Sequence, residues 1–125
     1  MPICLLAGTR SAVAAAELVT LVWTHSVEKV EWRETWAATP AGLVAVEARV
    51  KGSGAGMEPG PEARLVDGWW VWRPDLPPQA TLNLARSGAV ADWRLCSHHA
   101  CMAPADLLPG LAADEPIRLA VCRPE

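Results

Sequence analysis

The chain has 125 residues, of which 51% are hydrophobic, so one domain over residues 1–125 can bury a core without needing a metal or a partner. Eleven Lys and Arg against fourteen Asp and Glu give a net charge of −3, and the sequence has no basic stripe to neutralise phosphates, so nucleic acids and anionic membrane surfaces are disfavoured as partners. All seven aromatic residues are tryptophan, so tryptophan supplies all the aromatic packing.

Short apolar or alternating runs between turn residues predict an all-β fold, a small sandwich or barrel-like domain of about seven or eight strands. The predicted strands are Ile3–Ala7, Leu18–Val27, Val30–Ala38, Leu43–Val50, Trp69–Arg73, Thr81–Arg86, Asp92–Cys96 and Ile117–Cys122. Two segments compete as helix, the Ala-rich Ser11–Val19 and a turn around Ala105–Leu108.

The N-terminal stretch is mildly apolar, but it lacks an early Lys or Arg and is interrupted by polar residues. It therefore predicts neither a signal peptide nor a membrane span in this chain, and by itself it favours the cytoplasm. The four cysteines are an even number, however, and two disulfides would suit an oxidising compartment. Three connectivities are possible, and one of them joins Cys96 to Cys101 and Cys4 to Cys122.

Residues 23–36, WTHSVEKVEWRETW, concentrate polar and aromatic side chains in one predicted hairpin. Side chains alternate along a strand, so His25 shares a face with Trp23, whereas Ser26 points to the opposite face. A Ser-His-acid triad therefore cannot form from this strand alone. Glu34 lies between two tryptophans on the face expected to be buried.

A hairpin that turns at the Glu-Lys pair would place Trp23 opposite Glu34 and His25 opposite Trp32. His25 and Glu34 would then be diagonal neighbours within reach of each other. A carboxylate beside a half-buried histidine can prepare it as a general base or a ligand contact. In the alternative interpretation Glu34 only provides a hydrogen-bond partner for His25, which allows both polar side chains to be buried.

The segment KGSGAGMEPGPE, residues 51–62, is rich in glycine and follows a strongly patterned strand. Successive backbone N–H groups of Gly54, Ala55 and Gly56 could converge on an anion. The segment lacks the ending of a phosphate-binding P-loop and the spacing of the dinucleotide fingerprint. The alternative is a simple flexible or bulged connection.

The segment CSHHAC, residues 96–101, carries two thiols and two imidazoles. Cys96, His98, His99 and Cys101 are ligand types that zinc or copper accepts, but the Cys-x₄-Cys spacing matches structural zinc sites only weakly. A local disulfide or a thiol-bearing hairpin tip is the favoured interpretation. No metal and no cofactor is therefore predicted.

The chain resembles the bacterial family known as domain of unknown function 1850 in three stretches, WTHSVEKVEWRETW, GLVAVEARVKGSGAGMEPGPEARLVDGWWVW and LARSGAVADWRLC. The resemblance covers nearly the whole chain. It implies a small domain of a kind often encoded beside components of tripartite ATP-independent periplasmic (TRAP) transporters with TAXI-type binding proteins, and it implies no established activity. Its signature selects His25, Ser26, Glu34, Gly54 and Gly56, and secondarily Glu28, Lys29 and Met57.

The resulting hypothesis is a non-enzymatic accessory or binding module of a TRAP-type uptake system. Its partner would be a membrane subunit or solute-binding protein of the transporter, or a small carboxylate-bearing solute. The ligand-binding candidates are His25, Ser26, Glu34, Gly54, Ala55 and Gly56. The alternatives are a small enzyme that uses His25 and Glu34 as an acid-base pair, and a metal-binding protein that uses residues 96–101. The family setting and the paired cysteines would suit the periplasm, so the localisation stays open.

Overall fold

The computed structural model describes residues 1–14, 16–24, 30–51, 62–86, 92–98 and 100–123. In these residues the elements are β1 (Ile3–Ala7), β2 (Arg10–Ala14), β3 (Leu18–Thr24), β4 (Glu31–Thr39), β5 (Gly42–Lys51), β6 (Arg64–Val66), β7 (Trp69–Trp72), β8 (Thr81–Leu84), β9 (Arg94–Cys96), β10 (Cys101–Met102), α1 (Pro104–Leu107) and β11 (Ile117–Val121). They build a four-stranded sheet, β2-β1-β11-β8, and a seven-stranded sheet, β10-β9-β3-β4-β5-β7-β6. The predicted all-β, sandwich-like fold is confirmed.

The core lies between the inner faces of the two sheets. Strict alternation in β1 turns Ile3 and Leu5 inward, and both are fully buried. They pack in one cluster with Leu119 of β11 and, from the other sheet, with Val19 and Trp36. Burial of a side chain of this size contributes about 2 kcal/mol, so this alternation is the main reason that the two sheets stay together.

All eight predicted strands are present, and among the described residues three further strands, β2, β6 and β10, lie at sheet edges. These edge strands have two to five residues and are mostly exposed. An edge strand buries few side chains, so it carries no alternating apolar pattern. This explains why the sequence pattern did not reveal them.

The segment Ser11–Val19, considered as a possible helix, is divided between two strands. Gly8 has a φ of 58°, a left-handed conformation that favours glycine, and the turn it forms lets β2 pair along its length with β1. Sheet pairing therefore overrides the helix tolerance of alanine. The predicted turn around Ala105–Leu108 is α1, and within the described part of the chain no helix is long and apolar enough to cross a membrane.

The register of β3 against β4 differs from the predicted hairpin. Trp23 lies opposite Trp32, and Leu21 lies opposite Glu34, so the predicted pairs Trp23–Glu34 and His25–Trp32 are wrong by two residues. The Glu-Lys pair does not specify a tight turn, and the Trp23 and Trp32 rings stack with centroids 6.1 Å apart. A shift of two residues preserves the faces, so Glu34 stays on the inner face, beside Trp36.

The structure has two disulfides, Cys4–Cys122 and Cys96–Cys101, which is one of the three connectivities that the sequence left open. The first joins Cys4 in β1 to Cys122, the residue that follows β11, and these residues are 118 positions apart in sequence. β1 and β11 are the two central strands of the four-stranded sheet. The second joins directly opposed residues of β9 and β10, five residues apart in sequence. One bridge therefore closes nearly the whole chain, and the other closes only a hairpin.

The outer face of the seven-stranded sheet carries charged residues around one tryptophan. The cationic groups of Arg33, Lys51 and Arg49 lie 4.8, 5.1 and 5.8 Å from the Trp69 ring. Each such contact is worth about 0.5–1 kcal/mol at an exposed site. The clustered side chains cover Trp69 on the side of the sheet that faces away from the core.

Candidate functional site

A cavity of about 370 Å³ opens between the two sheets. Its wall from the seven-stranded sheet includes residues of β3 and β4, and its opposite wall comes from β8 and the residues that follow it. We call it the Glu34 cavity, and its lining residues are Leu21, Trp23, Thr24, Glu34, Asn83, Leu84, Ala85, Arg86, Asp92 and Trp93. Apolar, aromatic and charged groups thus face one shared space.

Glu34 reaches the cavity because it occupies an inward-facing position of β4, opposite Leu21 of β3 and Ala48 of β5. The indole Nε1 of Trp36 donates a hydrogen bond of 3.3 Å to its Oε1. No cationic side chain in the described residues forms an ion pair with this carboxyl group. Burial raises the pKa of Glu34 above its ordinary value, and the bond from Trp36 offsets this only in part.

Arg86 and Asp92 form a charged pair in the cavity wall. The guanidinium Nε and Nη2 donate to the two carboxylate oxygens of Asp92, at 3.2 and 3.1 Å, in the bidentate geometry that suits these groups. Its Nη1 donates to the backbone oxygens of Ala112 and Glu115, both at 3.1 Å. The Arg86 side chain is only 3% exposed, so it ties the cavity wall to the segment that leads into β11.

Two tryptophans complete the lining. Trp93 is buried, and its Nε1 has no hydrogen-bond partner within the described part of the chain. Trp23 is half-buried and stacks against Trp32, which in turn meets Trp72 edge-on at 5.8 Å. Trp23 is therefore held by packed aromatic neighbours, and the Nε1 of Trp32, like that of Trp93, is buried without a hydrogen-bond partner in the described residues.

Of the ligand-binding residues predicted from the sequence, only Glu34 belongs to the described residues. His25, Ser26, Gly54, Ala55 and Gly56 lie outside them, as do Glu28, Lys29 and Met57. The acid-base pair of His25 with Glu34 therefore stays a prediction.

The metal hypothesis for residues 96–101 is wrong as it was stated. Cys96 and Cys101 are bonded to each other, so neither offers the free thiolate that a metal site of this kind needs. His98 is described and His99 lies outside the described residues. Among the residues that the structure describes, no group of three or more His, Cys, Asp or Glu is placed to hold a metal ion.

Asn83, Arg86, Asp92 and Trp93 line the cavity but were not singled out from the sequence. The available signal was an arginine and an aspartate six residues apart, separated by the small residues SGAVA. A short segment of small residues between opposite charges can bring them together. That signal predicts the ion pair and not the cavity, because the cavity also needs the packing of one sheet on the other.

Glu34→Gln is expected to flatten the dependence of stability on pH and to raise the melting temperature at pH 7 by about 3 °C. Because the pKa of Glu34 is raised on folding, the folded chain holds this proton more tightly than the unfolded chain. The free energy of unfolding therefore decreases as the pH rises from the usual pKa of a glutamate to the raised pKa of Glu34. Glutamine does not titrate, so the variant lacks this decrease. Melting temperatures of the wild type and the variant, recorded at several pH values between about 4 and 7, measure this difference.

Glu62→Gln, the same change at an exposed residue, is the control and is expected to follow the wild-type curve. If Glu34→Gln kept the wild-type slope, burial of the Glu34 carboxyl group would not be the cause of the pH dependence.

Comparison with curated proteins and with solved structures found no match to this chain. The sequence profile of one protein family matches residues 19–103, a range that includes all of β3 except Leu18, β4, β8 and every residue named in the lining of the Glu34 cavity. This match covers more than half of the chain and extends over strands of both sheets. The chain therefore belongs to the family described as domain of unknown function (DUF1850).

Proposed function

We propose that the chain is a non-enzymatic binding module that holds a small organic solute in the Glu34 cavity. The observation that carries the proposal is the cavity itself, about 370 Å³ in volume, with apolar walls and a few converging polar groups. Small-molecule sites commonly have this composition and volumes of about 300–1,000 Å³. Glu34 would be its main polar contact, since the other carboxylate of the lining is already paired with Arg86.

In this proposal the module serves a solute uptake transporter of the TRAP type. Its partner is the membrane subunit or the TAXI-type solute-binding protein of that transporter. The support for this part is membership of the family together with the genomic setting that the resemblance implies. A carboxylate-bearing solute was the expectation from His25 and residues 54–56, and organic acids therefore belong in the test.

The test is a thermal-shift screen of organic acids, amines, amino acids and sugars, with each hit measured by isothermal titration calorimetry. Ala85→Leu is expected to weaken binding of a hit by about tenfold or more, because the larger side chain occupies space in the cavity. Ala105→Leu makes the same change in α1, outside the cavity lining, and is expected to leave binding unchanged.

Capture of the transporter subunits and the solute-binding protein on the immobilised chain tests the partner. Hits that respond equally to Ala85→Leu and Ala105→Leu would bind elsewhere and would contradict the cavity proposal. A screen without hits would overturn the binding function, and a failed capture would overturn the transporter association.

A further inference from the structure

The described residues that line the Glu34 cavity include more acidic than basic side chains. Two carboxylates, Glu34 and Asp92, and one guanidinium, Arg86, line it. Asp92 is neutralised by Arg86 through a bidentate pair, which leaves Glu34 as the carboxyl group without a cationic partner in the described residues. A partly buried carboxylate without a positively charged partner favours the binding of a ligand that carries a positive charge.

Arg86 is poorly placed to receive an anion. An arginine has five N–H donors, and four hydrogen bonds already engage this one, two to Asp92 and two to backbone oxygens. Only one N–H donor therefore remains for a carboxylate ligand, and such a ligand would add a further negative charge beside Glu34 and Asp92. The charge of the cavity therefore disfavours an organic acid.

The remaining wall suits a positive charge on an apolar body. Trp23 and Trp93 present aromatic rings, which attract cations through their electron-rich faces, and tryptophan is the strongest of the aromatic residues in this respect. Leu21 and Leu84 add aliphatic surface for methyl or methylene groups. An acid, two indoles and two leucines around about 370 Å³ form a compartment for a small alkylammonium ion.

Resting on the proposed binding function, we infer that the solute is an organic cation, a quaternary or primary alkylammonium ion. Its charged nitrogen lies against the carboxylate of Glu34, and its carbon atoms pack against Trp23 and Trp93. The ligand replaces the hydration that the carboxylate loses in the cavity. Bonds are neither made nor broken, since the site recognises charge and shape.

The test compares each cation with a neutral molecule of the same shape. Isothermal titration calorimetry at pH 8 is run with choline against dimethylbutanol and with butylammonium against butanol. At least one cation is expected to bind about tenfold more tightly than its neutral counterpart. Succinate, an organic acid of similar size, is expected to bind more weakly than either cation.

Glu34→Gln assigns the effect to the carboxylate. Glutamine keeps an oxygen that can accept the hydrogen bond from Trp36 but removes the charge. The variant is expected to lose about tenfold in affinity for the cation and nothing for the neutral molecule. Glu62→Gln removes the same charge at an exposed residue outside the lining and is expected to keep the wild-type preference.

Each outcome decides the inference. Equal binding of both cations and their neutral counterparts, tighter binding of succinate than of either cation, or an unchanged preference in Glu34→Gln would overturn it. In those cases the binding function would still stand if Ala85→Leu weakened the solutes that do bind. If no solute of the broader screen bound, the binding function itself would fail and the cation inference with it.

Discussion

A variant with Cys4→Ser and Cys122→Ser is expected to be about 5 kcal/mol less stable than the oxidised wild type. The disulfide between these residues spans 118 positions, so it removes much of the conformational freedom of the unfolded chain. In the chain-entropy description the stabilisation grows with the logarithm of the loop length. Urea-induced unfolding, monitored by circular dichroism, measures the loss as a lower midpoint.

The second disulfide is a matched control within the same molecule. Cys96 and Cys101 are five positions apart, so replacing both by serine is expected to cost only about 2 kcal/mol. The wild type treated with a reductant is expected to behave like the chain that lacks both bridges. If the two double-serine variants lost equal stability, the disulfides would not act through loop closure.

Arg86→Met is expected to destabilise the fold by about 3 kcal/mol. Methionine fills much of the space of the side chain but provides no donors. Asp92 loses its counter-charge, and the backbone oxygens of Ala112 and Glu115 lose the donors that Arg86 provides. The Arg86 side chain is buried and that of Asp92 is 29% exposed, so the loss falls mainly on the hydrogen bonds that Arg86 donates and only in part on an unpaired carboxylate.

Arg94→Met provides the comparison for Arg86→Met. The Arg94 side chain is 53% exposed, and its contact with Glu31 is 3.8 Å long, so its loss is expected to change stability by about 0.5 kcal/mol or less. Both variants are measured by urea-induced unfolding with the disulfides intact. A similar small effect for both arginines would show that the Arg86 network does not hold the cavity wall in place.

The sandwich could be predicted where a strand has one buried face. β1 was predicted with its observed bounds, because Ile3, Leu5 and Ala7 alternate with more exposed residues. The edge strands β2, β6 and β10 could not, since few of their side chains are buried and their existence depends on the neighbour to which they pair. The β3–β4 register also depends on a turn that the Glu-Lys pair does not determine.

Within the candidate site, the inward position of Glu34 could be predicted, because the period of a strand survives a register shift of two residues. Its neighbours across the cavity could not. Asn83 and Arg86 come from the other sheet or from the segment that follows it, and a sequence pattern does not show which residues of two sheets face each other. The alternation of inward and outward side chains in β4 thus predicted the position of Glu34, whereas the cavity around it depends on how the two sheets pack.

The tryptophan wall gives the Glu34 cavity an intrinsic optical signal. The chain has no tyrosine, so its near-ultraviolet absorption and emission come mainly from its seven tryptophans. Two of these line the cavity, and the rings of Trp23 and Trp32 stack at 6.1 Å, close enough for their electronic transitions to couple. A solute that enters the cavity would alter the fluorescence emission of Trp23 and Trp93, so ligand binding can be followed by intrinsic fluorescence without an attached label.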